Sequence, residues 1–97
     1  MNNFEQLERF LEALSSNEPL RQDVVGNDIV GEYTIDTCYT LDCGYETGIV
    51  KGSGHLIIVQ RYETRELAEK GHAIWMAMCA AEPEGAYSVQ FDIYERF

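Results

Sequence analysis

The chain has 97 residues, 45% of them hydrophobic, and a formal net charge of −10 that comes from 17 acidic and seven basic residues. This size and hydrophobic content predict one domain with a packed core and argue against a disordered tail. A negative field repels phosphate groups, so the charge argues against direct binding to nucleic acid.

The sequence favours a soluble, cytoplasmic protein without membrane contact. No stretch approaches the roughly 18 apolar residues of a membrane-spanning helix. The first residues, Met1 to Glu5, lack the basic start and apolar middle of a signal peptide. Three cysteines cannot all pair within one chain, which is typical of a reducing compartment.

The first predicted element is an amphipathic helix within residues 1–16. Its apolar positions recur at spacings of three and four, at Phe4, Leu7, Phe10, Leu11 and Leu14. Three acidic residues share another face of this helix: Glu5, Glu8 and Glu12. Like charges this close destabilise a helix by roughly 0.2–0.5 kcal/mol per pair, so we expect this face to bind a protein with a basic surface. The alternative is a face that only keeps the protein soluble.

Residues 17–31 are predicted to form a connector. Pro19 ends the helix that precedes it. Turn-forming residues follow, at Gly26, Asn27, Asp28 and Gly31. This half of the chain also carries most of the charge, because residues 1–50 hold ten acidic and only two basic residues.

Residues 32–97 are predicted to form an antiparallel sheet with one helix across a face. β-Branched and aromatic residues alternate with polar ones from Glu32 onward, as in a strand. The pattern predicts four strands, at residues 32–40, 45–50, 55–62 and 87–95, and a helix at 64–81 that Thr64 caps. The expected order is α-β-β-β-α-β in a single α+β domain covering residues 1–97.

The helix at 64–81 carries two adjoining apolar stripes. One consists of Ala68, His72, Trp75 and Cys79, and the other of Leu67, Gly71, Ile74 and Met78. Together they predict a face wide enough to cover the sheet, with Trp75 substantially buried. Gly71 in a helix interior predicts close approach to a strand. His72 is expected at the margin of the core, and the alternative is a metal ligand or a base.

Cys38, Cys43 and His72 are the candidates for a metal or thiol site. Cys38 and Cys43 have C-x4-C spacing, but a zinc site needs a second pair of ligands. No second pair is recognisable among the remaining candidates, which are His55, His72 and Cys79. Asp36 and Asp42 could add oxygen ligands, but they do not complete a recognisable site. We therefore expect no metal and no other cofactor, and less than stoichiometric zinc in protein purified without added metal. A Cys43 nucleophile with His72 as base lacks a third orienting residue. No catalytic residue is assigned.

Two patterns lie between Thr34 and Trp75. Glu46-Thr47-Gly48-Ile49 forms an ETAI-like strand, with Gly48 where alanine is usual. Tyr62-Glu63-Thr64 and the segment from Ala68 to Trp75 form a Y-x-T…A-x-x-G-H-x-x-W helix. These patterns resemble small uncharacterised phage and prophage proteins over about residues 32–79. The resemblance implies a mobile-element protein that binds and modulates a host or phage component, with no assigned activity.

Three function classes follow from these features. The favoured one is a non-enzymatic protein-binding module in the host cytoplasm, such as an inhibitor of a host nucleic-acid-binding enzyme or defence complex. The second is a metal- or thiol-site protein that uses Cys38, Cys43 and His72. The third is a virion or assembly accessory protein, which leaves homo-oligomer formation open.

Overall fold

Four antiparallel strands form the main sheet of the computed structural model, which describes residues 22–97. In chain order, β1 to β4 are Asp23–Val30, Tyr33–Thr40, Gly44–Lys51 and Ile57–Tyr62. Each strand pairs with the next, so β1 and β4 are the edges. Gly31 and Gly44, at positive φ of 58° and 72°, allow the turns that follow β1 and β2. The strands predicted at residues 32–40, 45–50 and 55–62 are confirmed.

The predicted helix at residues 1–16 lies outside the described residues, and so do Glu5, Glu8 and Glu12. The same holds for residues 17–21 of the predicted connector.

The connector prediction is wrong for residues 23–30, which form β1 and pair with β2. The turn-forming residues of this stretch make tertiary contacts instead. Gly26 lies beneath the imidazole ring of His72, and Asp28 is hydrogen-bonded to that ring at 2.7 Å. Asn27 donates its side-chain N–H to Asp36 at 2.8 Å. Residues that favour turns in isolation are therefore held in a strand by their neighbours.

Helix α1, Arg65–Ala80, crosses one face of the sheet and contacts all four strands. Thr64 caps it, because its side-chain oxygen accepts a hydrogen bond from Leu67 N–H at 3.2 Å. The stripe that contains Ala68, His72 and Cys79 is buried, as predicted. Trp75 is partly buried and packs against the core.

The second stripe of α1 does not face the sheet. Leu67, Ile74 and Met78 are 45–57% exposed, so the helix does not bury the wide face that its sequence predicts. Gly71 is the exception on this stripe, since a Cβ atom there would overlap the ring of Tyr62. The close approach predicted from Gly71 is therefore confirmed.

The C-terminal residues form a hairpin and not a strand of the main sheet. The prediction of one strand over residues 87–95 is wrong: β5, Gly85–Ser88, and β6, Ile93–Arg96, pair in a separate two-stranded sheet. Asp92 has a positive φ of 57°, and its backbone N–H donates to Ser88 O at 2.9 Å. The chain therefore reverses its direction within residues 87–95, although the alternation of apolar and polar residues there is typical of one continuous strand.

The core lies between the main sheet, α1 and the C-terminal hairpin. Its buried members come from every layer: Tyr33, Ile35, Ile49, Ile57, Val59, Cys79 and Ala86. The prediction of a single α+β domain is confirmed, with a four-stranded antiparallel sheet and one helix across a face. The fourth strand of the sheet is β1 and not the predicted C-terminal strand. Among residues 22–97, no helix is long and apolar enough to cross a membrane.

Candidate functional site

The three candidate residues of the metal or thiol site do not come together. Thr37 faces α1 through its bond to His72, so its neighbour Cys38 points to the other face of the sheet. Cys43 is exposed in the β2–β3 turn, where Arg61 Nη2 lies 3.8 Å from its sulfur. Within residues 22–97, no group of three His, Cys, Asp or Glu side chains is placed to hold a metal.

His72 instead belongs to a chain of hydrogen bonds that begins at the surface and continues into the core. Its Nε2 is 2.7 Å from the Asp28 carboxylate of β1, and its Nδ1 is 2.7 Å from Thr37 Oγ1 of β2. The chain continues from Thr37 to Thr47 of β3 at 2.6 Å, and from Thr47 to the Tyr62 hydroxyl of β4 at 2.9 Å. We call these five residues the His72 network; it links all four strands to α1.

The partners of His72 define the direction of these bonds in the neutral imidazole. A carboxylate can only accept, so Nε2–H donates to Asp28 and Nδ1 accepts from the Thr37 hydroxyl. Thr37 then accepts from Thr47, and Thr47 accepts from Tyr62. Each buried hydroxyl therefore has a partner, as buried polar groups require. Burial raises the pKa of Tyr62 above its usual value, which keeps the phenol protonated as a donor.

An Asp–His–Thr order is also the order of a nucleophilic catalytic triad. The Thr37 and Thr47 side chains are however 0% exposed, so no substrate carbonyl can reach the Thr37 oxygen. The role that the bonds support is structural: they join the edge strand β1 to the helix and orient the His72 ring. Of its five residues, only His72 is a site candidate in the sequence, and Thr47 and Tyr62 appear there as members of the two patterns.

A glycine in β1 makes room for the His72 ring. A Cβ atom at Gly26 would lie 2.5 Å from His72 Nε2, so we expect Gly26→Ala to lower the free energy of unfolding by about 1–3 kcal/mol through overpacking. Urea unfolding of single and double variants measures this cost. In a His72→Ala background the same change should be nearly neutral, because the clashing ring is gone. An equal cost in both backgrounds would contradict this placement of His72.

A second polar cluster holds β1 against the start of α1. Asp23 accepts hydrogen bonds from the Tyr45 hydroxyl at 2.8 Å and from Arg65 Nε at 2.9 Å. The bond from Tyr45, followed by that from Arg65, lowers the pKa of Asp23, and the same bond raises the pKa of Tyr45. All three groups are partly exposed, so the cluster acts as a surface clamp rather than as a reactive site.

A surface cavity of about 470 Å³ lies near the C-terminal end of α1, and its lining includes Tyr33, Lys51, Cys79 and Glu82. Lys51 stacks over the Tyr33 ring, with its Nζ 5.5 Å from the ring centre. Burial raises the pKa of the Cys79 thiol to about 11. At neutral pH this sulfur is therefore a poor nucleophile, and the cavity offers no activated group.

The most distinctive exposed surface is on the C-terminal hairpin. Four large side chains of one short segment are 49–65% exposed: Tyr87, Phe91, Ile93 and Tyr94. We call them the hairpin surface. Tyr87 and Tyr94 are directly opposite each other in the β5–β6 pairing, so their rings lie on the same side of the hairpin. Sequence reasoning missed this surface, because its alternation is that of a half-buried strand.

The hairpin surface is held in a defined shape. The Phe91 backbone N–H donates to Ser88 Oγ at 3.1 Å within the turn. Val89 N–H donates to Ile58 O of β4 at 2.9 Å, and the Tyr33 hydroxyl donates to Pro83 O at 2.6 Å just before β5. The hairpin is also acidic, since residues 82–96 contain four acidic residues and one basic residue, Arg96.

Comparison of the chain with protein-family models, with curated proteins and with solved structures gave no match. Its function is therefore inferred from the chemistry of its own surfaces.

Proposed function

We propose that this chain is a non-enzymatic protein-binding module whose principal contact region is the hairpin surface. The proposal rests on the exposure of Tyr87 and Tyr94 on one side of a hydrogen-bonded hairpin, with Phe91 exposed in its turn. Aromatic residues supply much of the binding energy at protein interfaces. A contact region that is ordered before binding also loses less entropy when the partner docks.

The proposed partner is a protein with an apolar pocket and a basic rim. The hairpin segment, residues 82–96, has a net charge of −3, and the whole chain has a net charge of −10. Complementary charge around an apolar contact speeds association and makes it sensitive to salt. Glu5, Glu8 and Glu12 remain a proposed second acidic contact, which rests on their sequence spacing.

The resemblance to phage and prophage proteins supports a role in the cytoplasm of a bacterial host. An acidic surface suits the basic face with which another protein binds nucleic acid. The acidic side chains offer the same negative charge as the phosphates, and so they can pair with the same lysines and arginines. We therefore propose that the protein inhibits a host nucleic-acid-binding enzyme or defence complex by occupying that face.

The two other function classes make different demands on the molecule. A metal- or thiol-site protein would use Cys38, Cys43 and His72 together, yet these residues lie on two faces and one turn of the sheet. A virion or assembly accessory protein would bind copies of itself. The hairpin surface could serve that contact as well, so the oligomeric state of the purified protein separates this class from the proposed one.

The proposal is tested by capture from a bacterial lysate on immobilised protein. We expect the wild type to retain a basic protein at low salt and to release it at high salt, where charges are screened. The double variant Phe91→Ser with Tyr94→Ser should not retain it. Leu41→Ser is the matched control, because Leu41 is 53% exposed in the β2–β3 turn, away from the hairpin; it should behave like the wild type. Equal retention by all three proteins would contradict the proposal.

A further inference from the structure

The second stripe of α1 remains in solvent although its residues are apolar. It consists of Leu67, Gly71, Ile74 and Met78. Its three large side chains, Leu67, Ile74 and Met78, are 49%, 57% and 45% exposed. They therefore contribute little to the core beneath the helix, and their exposure needs another explanation.

The two halves of α1 offer different side chains to solvent. Residues 65–70 carry four charged side chains, which form ion pairs one turn apart along the helix. Residues 71–81 contain no Asp, Glu, Lys or Arg. The exposed residues of this second half are only alanine, isoleucine and methionine: Ala73, Ile74, Ala77, Met78, Ala80 and Ala81. A helix that faces water normally carries polar residues on its outer side, so the second half has the composition of a protein contact.

The spacing of the second stripe matches itself when two copies run antiparallel. Its residues are separated by 4, 3 and 4 positions, an order that reversal leaves unchanged. A twofold axis midway between positions 72 and 73 places Leu67 of one copy opposite Met78 of the other. The same axis places Ile74 opposite Gly71, so that a large side chain meets a position without one. The stripe therefore has the self-complementarity that a twofold interface requires.

We propose that two copies of the chain form a dimer through the second stripe, with their α1 helices antiparallel. Charge favours a second copy as the occupant. The chain has a net charge of −10, so two copies repel each other over most surfaces. Along the stripe they can pack without burying a carboxylate, because residues 71–81 have none and the two acidic and two basic residues of 65–70 cancel. A basic partner would find no carboxylate to pair with in residues 71–81.

The expected dimer is in reversible equilibrium with the monomer. Each copy contributes only three large side chains, and small contacts of this kind are typically weak. The hairpin surface takes no part in the contact and stays free for a partner. The inference therefore goes beyond the proposed function and does not depend on it. Self-association of an assembly protein through the hairpin surface is a different contact, and the variants below separate the two.

Matched isoleucine substitutions test the inference by analytical ultracentrifugation. Ile74→Glu, Ile29→Glu and Ile93→Glu make the same change in α1, β1 and the hairpin, at side chains that are 57%, 71% and 57% exposed. Protein is measured up to about 1 mM, in roughly 0.5 M salt to screen the net charges. The wild type and the variants at positions 29 and 93 should dimerise alike, while Ile74→Glu should raise the dissociation constant at least tenfold.

Three results of this experiment would overturn the inference. The first is a wild-type protein that stays monomeric throughout, which would mean that another part of the chain or a different protein covers the stripe. The second is a dimer that Ile93→Glu or Ile29→Glu weakens as much as Ile74→Glu does, which would place the contact elsewhere. The third is a dimer that Ile74→Glu leaves unchanged.

Disulfide formation tests the antiparallel register. All variants carry Cys43→Ser, because Cys43 is exposed whereas the other two cysteines are buried. In the proposed register, the two copies of position 74 lie about 4.5 Å apart along the helix axes, within reach of a disulfide. The two copies of position 67 lie about 16 Å apart, which is too far.

Mild oxidation should therefore link Ile74→Cys into a dimer and leave Leu67→Cys unlinked. An equal mixture of Leu67→Cys and Met78→Cys should give the mixed dimer. All three positions are exposed, so the core should be intact in each variant, which circular dichroism checks. A linked dimer of Leu67→Cys alone, or no link at position 74, would overturn the proposed arrangement.

Discussion

Thr47→Val is expected to lower the free energy of unfolding by about 2–3 kcal/mol, although it changes the shape of the side chain very little. The Thr47 hydroxyl joins Thr37 to Tyr62 in the His72 network, with bonds of 2.6 Å to Thr37 and 2.9 Å to Tyr62. Its loss removes both bonds, so that Thr37 keeps only its bond to His72 and Tyr62 only a longer bond of 3.4 Å to Gln60. Two lost hydrogen bonds at roughly 1 kcal/mol each, together with the poorer pairing of these two hydroxyls, give the expected cost. In a domain of this size, the change should lower Tm by about 10 °C or more.

Urea unfolding followed by circular dichroism measures the effect of Thr47→Val. Thr34→Val is the control, because it makes the same replacement in β2 on the face away from α1. We expect it to stay within about 0.5 kcal/mol of the wild type, as is usual away from buried networks. If Thr47→Val cost no more than Thr34→Val, the hydroxyls of the His72 network would contribute nothing to stability.

The second large effect is expected in partner binding. Reversal of Glu5, Glu8 and Glu12 to Lys should lower the association rate constant at low salt by about tenfold or more, since electrostatic steering changes rates by 10–10³. The dissociation rate should change less, because charges at the rim act mainly on encounter. Stopped-flow or biosensor kinetics with the captured partner, over a series of salt concentrations, measures both rates.

A control with the same change in net charge separates local from global effects. Asp42, Glu63 and Glu66 are exposed acidic residues of the β2–β3 turn and the start of α1. If their reversal to Lys slowed association as much, total charge and not the first segment would steer the partner. An unchanged rate in the Glu5, Glu8 and Glu12 variant would leave solubility as the only explanation for that acidic face.

The sequence predicts the parts of this fold that depend on local patterns. β2, β3 and β4 follow from alternation, and α1 follows from its apolar stripe and the Thr64 cap. β1 could not be predicted, because Gly26 and Asp28 favour a strand only in the presence of His72. The C-terminal turn could not be predicted either. The chain reverses at Asp92, which has a positive φ, but the alternation of apolar and polar residues continues through this position in the sequence.

The candidate sites show the same division between local and long-range information. His72 stands out in the sequence because it lies on an apolar helix stripe, but its partners come from β1, β2 and, through Thr37, β3. The exposure of an apolar residue also depends on the tertiary structure and not on the local sequence pattern. Leu67 and Ile74 on α1, like Tyr87 and Phe91 on the hairpin, have the pattern of buried residues and are exposed.

Site-specific photocrosslinking is the most direct test of the claim that the hairpin surface binds a protein partner. Phe91 is replaced by a benzoylphenylalanine residue and, in a second protein, Leu41 is replaced in the same way; both are irradiated in a bacterial lysate. We predict one discrete adduct with a basic protein from position 91, lost at high salt, and no such adduct from position 41. Absence of an adduct at position 91, the same adducts from both positions, or only a dimer of the chain itself would contradict the claim.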